Sequence, residues 1–286
     1  PVAEIEVLAR KEIIIFSLFL IYLLVPRNSN FKSFSLISFS VLSILIWEPT
    51  IFFYPLLFIY EIIDRKVDKL NFELFKVFIS FVPSIIIALI IIFDPLSKDQ
   101  HETMALVLKN EFNQSCYMSC ALLAGKSTII QQFEGNFGKY SLEVFVRYFL
   151  IIFIGFYPLN LLIKNSSLKI KNLIFSYFFK SLLKLLWICL LPVTILFAMG
   201  YDWGRWVNIT YVFFALTYFK LLIDSHIEIN FKNLEQTFLY KIKGKTYVIF
   251  FIIFCFGWNP KTVITGDVAS FPGYRIPYKV FKILNN

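Results

Sequence analysis

The chain has 286 residues, of which 58% are hydrophobic and only 16% charged, and its mean hydropathy of +0.70 exceeds what a water-soluble domain can hide in one core. A net charge of +9 does not indicate nucleic acid, because the lysines and arginines fall between apolar runs, where they orient helices and meet anionic headgroups. Two histidines and four cysteines, with no set at metal-ligand spacing, predict neither a metal centre nor a cofactor.

The chain opens Pro1-Val2-Ala3-Glu4 without a methionine, and no cleavage pattern accompanies the first apolar run, so the expectation is a truncated N-terminus rather than a signal peptide. Apolar regions then follow at 13–25, 34–63, 72–93, 142–163, 177–199, 207–223 and 247–257. A bilayer core of about 30 Å asks for about 20 helical residues per crossing. Region 34–63 is too long for one crossing, since its 30 residues measure about 45 Å as a helix. It is also interrupted by Trp47-Glu48-Pro49. A carboxylate at the bilayer centre costs about 3 kcal/mol, and proline removes a helix hydrogen bond there. The region therefore reads as a hairpin of two short helices bent at Glu48. The predicted fold is all-α, a polytopic transmembrane helix bundle of about eight spans in one domain, 1–286.

Three basic clusters set the orientation: Arg65, Lys66 and Lys69; Lys164, Lys169 and Lys171; and Lys241, Lys243 and Lys245. The positive-inside rule puts all three on the cytoplasmic side. Lys180 and Lys184 belong there too, their stems running along the helix to the interface. Alternation places the long 94–141 loop, the 201–206 turn and the C-terminal tail outside. The tail, 259–286, mixes aromatic and basic residues and reads as an interfacial segment. Arg10 and Lys11 balance Arg27 and Lys32, so seven spans with the N-terminus inside is the alternative.

Among the motifs, Gly200-Tyr201-Asp202-Trp203-Gly204-Arg205-Trp206 lies between two apolar helices, with every side chain at the interface. Asp202 and Arg205, three apart, can pair or jointly hold a ligand, and the tryptophans can stack on sugar rings. An aromatic belt with a capping ion pair is the structural alternative. Glu48 allows the same choice, between a desolvated general base and an acid that merely favours the first turn of a helix before Pro49.

The 94–141 loop carries His101, Glu102, Glu111 and Glu134, but His101 has no partner for zinc. Stretches 104–112 and 115–124 within it are weakly amphipathic. Gly125-Lys126-Ser127-Thr128 imitates a phosphate loop, yet its first glycine is Cys120 and no strand precedes it. Cys116 and Cys120 can bridge in an oxidising compartment or stay free.

The Glu-Pro bend entering a Phe-rich helix, the long outer loop and the Asp-Trp-Gly-Arg-Trp turn resemble multipass bacterial proteins of cell-surface polysaccharide synthesis. They are similar to O-antigen and capsule polymerases and, more distantly, to C-type membrane glycosyltransferases. The resemblance covers most of the chain in pattern, and in motif only Trp47-Glu48-Pro49 and 201–206. It implies a protein of the bacterial inner membrane acting at the outer face on a polyprenyl-linked saccharide. Membrane lipids and that saccharide would be its partners, with no nucleic acid. Arg205 would hold the pyrophosphate, Glu48 or Asp202 would be the catalytic acid, and Trp203, Trp206 and Trp47 would contact sugar. C-type enzymes keep their key acid in the first outer loop, which is missing here unless Glu4 and Glu6 are its remnant. The competing classes are a flippase for lipid-linked saccharide and a non-catalytic assembly subunit.

Overall fold

A computed structural model describes residues 11–27, 31–69, 71–93, 97–116, 129–138, 140–169, 174, 181–200, 202–242, 244–258 and 284. Tyr201, Cys120, Lys126, Lys171, Lys180, Lys243, the 117–124 half of the amphipathic stretch and all of the 259–286 tail except Leu284 lie outside them. The described chain is all-α apart from one small ribbon. Its longer helices are α1 (Lys11–Leu24), α2 (Phe31–Ile46), α3 (Tyr54–Arg65), α4 (Phe72–Phe93), α5 (Lys98–Phe112), α6 (Ile129–Phe137), α7 (Leu142–Lys164), α8 (Leu182–Met199), α9 (Trp203–Ile223) and α10 (Lys245–Gly257), with two short helical turns, Phe231–Glu235 and Phe238–Lys241, before α10. Four of these, α4, α7, α8 and α9, are long and apolar enough to cross a membrane, as expected of an integral membrane protein; α2 is a shorter apolar helix.

The break inside the 34–63 run falls where the charge and proline lie. Helix α2 stops at Ile46, Trp47 is extended, and Glu48–Phe53 winds as a 3-10 turn with proline at its start before α3 begins. The Trp47 carbonyl accepts from both the Thr50 N–H at 3.1 Å and the Thr50 hydroxyl at 2.8 Å, which ties down the start of the turn. The two arms are antiparallel: the Tyr54 hydroxyl donates to the Ser40 carbonyl, and Lys32 at the start of α2 lies 3.9 Å from Asp64 near the end of α3. Lys66 terminates α3 in the left-handed conformation, at φ 55°, with its N–H turned back to the carbonyls of Ile62 and Ile63. Pro192 similarly divides α8 with a short 3-10 turn.

Helix α9 is the centre of the bundle, touching α1, α3, α7 and α8. Its Phe213, Phe214, Tyr218 and Leu221 are fully enclosed, and Phe213 packs on Phe19 of α1 and on Phe53. Helix α4 packs on α2 and α3 through Val77, Phe81 and Ala88 and turns Phe75, Phe78, Ile86, Ile90 and Phe93 outward. That second face is an apolar surface suited to hydrocarbon.

The bundle has two distinct ends. At one, Ser166–Leu168 (β1) and Ile227–Ile229 (β2) pair antiparallel. The Lys169 N–H donates to the His226 carbonyl, and the Ile174 N–H to that of Val67. These bonds bring the segments after α3, α7 and α9 together, so the clusters around Arg65 and Lys164 share one end, the basic end. The ribbon was not anticipated from the sequence, because three residues are too few to show an alternating pattern. The opposite end carries the Trp47 bend and the start of α9. Tyr140 donates there to the carbonyls of Phe197 and Ala198, and α6, within the 94–141 segment, packs on the last turns of α8.

Candidate functional site

The tryptophan end assembles two of the sequence motifs. The indoles of Trp47 and Trp206 stack, with centroids 5.4 Å apart and planes 18° from parallel, so the Glu48 bend lies beside the first turn of α9. Asp202 occupies the N-cap position of α9, yet its side chain accepts no capping hydrogen bond. It turns instead to Arg205, whose Nη1 lies 2.9 Å from its Oδ2. On its other side Arg205 meets a carboxylate that the motif reading did not include. Nε is 3.0 Å from Oε1 of Glu12 in the first turn of α1. The guanidinium is thus bracketed by Glu12 and Asp202 and remains 29% exposed in its side chain.

This geometry leaves Nη2 and one further N–H of Arg205 for a ligand, since a guanidinium carries five donors in a planar fork. Glu12 is 7% exposed; its contact with Arg205 is an ion pair without hydrogen-bond geometry, and neither of its oxygens meets a donor among the described residues. Two carboxylates against one guanidinium leave this cluster with an excess of negative charge, so Arg205 is held in place with its own charge already balanced. Glu48 is exposed at the same end and makes no hydrogen bond or ion pair among the described residues.

The aromatic residues are placed differently from the sugar-stacking role. Trp203 is enclosed: its Nε1 donates to the Phe197 carbonyl at 2.7 Å, and Tyr140, Phe145, Tyr148 and Phe197 surround its ring. Trp47 and Trp206, 3% and 9% exposed, use their faces on one another. All three indoles act as packing anchors that fix where Glu48, Asp202 and Arg205 stand. Beside Trp203, an apolar groove of about 360 Å³ runs between α7, α8 and α9, lined by Phe149, Phe156, Trp187 and Leu191.

The loop residue Cys116 is disulfide-bonded. His101 lies 3.5 Å from its sulfur.

The basic end holds a second polar assembly, which sequence reading missed. Glu61, fully buried in α3, accepts from the Tyr22 hydroxyl and from Arg65 Nε at 2.6 Å. The Lys32 ammonium stands 3.8 Å from Glu61 and 3.9 Å from Asp64, above the rings of Tyr22 and Tyr60. His226 Nε2 is 3.0 Å from Asp64 Oδ1, and Lys220 is 2.8 Å from Asp224. Charge is therefore present inside the bundle. Glu61 sits within the apolar 34–63 run, where i,i+4 spacing from Arg65 was the available signal. Asp64 and His226 are 162 positions apart, and nothing local joins them.

Comparison with known protein families, with curated proteins and with solved structures finds no match for this chain.

Proposed function

We propose that the chain is a membrane glycan polymerase or glycosyltransferase-like protein of the bacterial inner membrane, acting at its outer face on a lipid-linked saccharide. The observation that carries the reading is Arg205 clamped between Glu12 and Asp202 at the mouth of the bundle. The unpaired N–H donors of a partly exposed arginine suit phosphate oxygens, and the carboxylates beside it, whose excess charge opposes an anion, suit an acceptor hydroxyl that must lose a proton. In this reading Arg205 grips the pyrophosphate and Asp202 or Glu48 takes the proton, while Glu12 orients the guanidinium.

The same reading has eight crossings: α1, α2, the 3-10 turn with α3, α4, α7, α8, α9 and α10. The 3-10 turn and α3 together reach about 30 Å, from six residues at about 2 Å and twelve at about 1.5 Å. Glu12 belongs to the tryptophan end and Tyr22 to the basic end, which supports an outer start for α1. The Cys116 disulfide supports an oxidising compartment for the 94–141 loop. A flippase is the second reading, favoured by the buried Glu61, Asp64 and Lys32, because ionisable groups inside a bundle often mark a translocation path.

The test is Arg205→Lys and Asp202→Asn in the native host, with surface glycan chain length as the readout. Shortened or absent polymer at normal protein levels is expected from both. Glycan of unchanged length in both variants refutes the assignment, and accumulation of unpolymerised precursor on the inner leaflet favours the flippase.

A further inference from the structure

Asp64, Asp224 and His226 each offer one ligand atom, and these atoms all lie within 4.8 Å of one another at the basic end. We propose that they form a binding site for one divalent first-row transition ion, Zn²⁺ or Mn²⁺. The proposal is independent of the glycan reading, because the cluster is at the other end of α9 from Arg205.

Proximity of acids and a histidine is common without any ion, and two further observations point to a missing ligand. Asp64 is 2% exposed and its Oδ2 meets no hydrogen-bond donor. Tyr60, one turn earlier on the same face of α3, is 1% exposed, and its hydroxyl is equally without a hydrogen bond among the described residues. An enclosed carboxylate oxygen and an enclosed phenol, both unsatisfied, are costly unless a ligand satisfies them.

The contacts show which acid keeps an oxygen open. Glu61 is paired with Arg65 at 2.6 Å, and Asp224 with Lys220 at 2.8 Å. Lys32 stays 3.9 Å from Asp64, beyond hydrogen-bond reach. Asp64, with His226 on one oxygen and Lys32 only at this longer distance, keeps Oδ2 without a hydrogen bond and open to an ion. His226 and Asp64, 3.0 Å apart, already have the separation of adjacent ligands on a small ion, whose bonds to nitrogen and oxygen are about 2.0–2.2 Å long. An imidazole among oxygen donors selects transition ions over Mg²⁺ and Ca²⁺, which prefer oxygen alone. Binding would tie α3 to the turn between α9 and β2, where His226 donates its N–H to Leu221 and accepts from Lys169.

The experiment uses the full chain in detergent micelles, with any affinity tag removed and metal stripped by a chelator. Titration with Zn²⁺ by calorimetry and with Mn²⁺ by electron paramagnetic resonance is expected to show one saturable site per chain. His226→Gln and Asp224→Asn, which preserve side-chain volume, should each weaken it about 10-fold or more. X-ray absorption of the zinc-loaded wild type should show imidazole nitrogen with oxygen and no sulfur. That spectrum decides the matter even where a variant fails to elute as wild type does. No saturable binding, sulfur ligation, or unaltered affinity in both well-folded variants overturns the site.

Discussion

Gly155 in α7 gives a sharp test of how the last apolar helix is attached. A Cβ built there would collide with Cε2, Cζ2 and Nε1 of Trp258, so the indole lies directly against the helix backbone. Trp258 is 4% exposed, donates to the Ile151 carbonyl at 3.0 Å, packs on Tyr211 at 4.9 Å and stacks on Phe254 of α10. Gly155→Ala must expel this ring. Overpacking costs about 1–3 kcal/mol and the lost hydrogen bond about 1 kcal/mol. A loss of about 2–4 kcal/mol is therefore expected in SDS-titration unfolding from mixed micelles. Once Trp258→Ala has removed the ring, the same change should become stabilising by up to about 1 kcal/mol, because alanine exceeds glycine in helix propensity. The double-mutant cycle isolates the contact. A neutral Gly155→Ala, or one that still costs more than about 1 kcal/mol beside Trp258→Ala, refutes the packing argument.

Glu61→Gln keeps the shape and removes the charge that faces Arg65 and Lys32; breaking a buried pair in this way is expected to cost about 3 kcal/mol in the same assay, and a loss below about 1 kcal/mol would mean that water reaches the site. Trp47→Leu forfeits the stack on Trp206, worth about 1 kcal/mol beyond the area lost, and should also lower the activity attributed to Arg205; Trp206→Leu in the Trp47→Leu background should then cost little more. For orientation, a cysteine at Glu48 should react with an impermeant maleimide on intact cells, above the native-cysteine background, while one at Ser167 should react only after permeabilisation. The reverse pattern inverts the protein in the membrane.

The helix break was legible because its causes are local. Glu48 and Pro49 each penalise a continuous helix through the bilayer, and their adjacency at the centre of a 30-residue run leaves few other solutions. The Asp202–Arg205 pair was legible for the same reason, since i,i+3 neighbours at a helix start face one another. Glu12 was not. As a charged residue preceding an apolar run it has the pattern of a span boundary, and only the docking of α1 on α9 shows it closing on Arg205. The indole roles were equally hidden, because a tryptophan at an interface offers the same letter whether its face is open or covered.

Helix α9 links the two polar ends, and its sequence explains how one helix can serve both. Arg205 and Lys220 mark its first and last turns, while Phe213, Phe214 and Tyr218 fill the interval with fully enclosed side chains. Its neighbours repeat the division: α1 meets Arg205 through Glu12 and Glu61 through Tyr22, and the Trp47-to-Arg65 hairpin arm meets Trp206 at one end and Lys32 at the other. A displacement of α9 along its axis therefore cannot loosen the Glu12–Arg205–Asp202 clamp without also shifting His226, whose backbone is fixed to Leu221 and to the ribbon. The close-packed aromatic layer between them makes the helix a strut that joins the two polar ends.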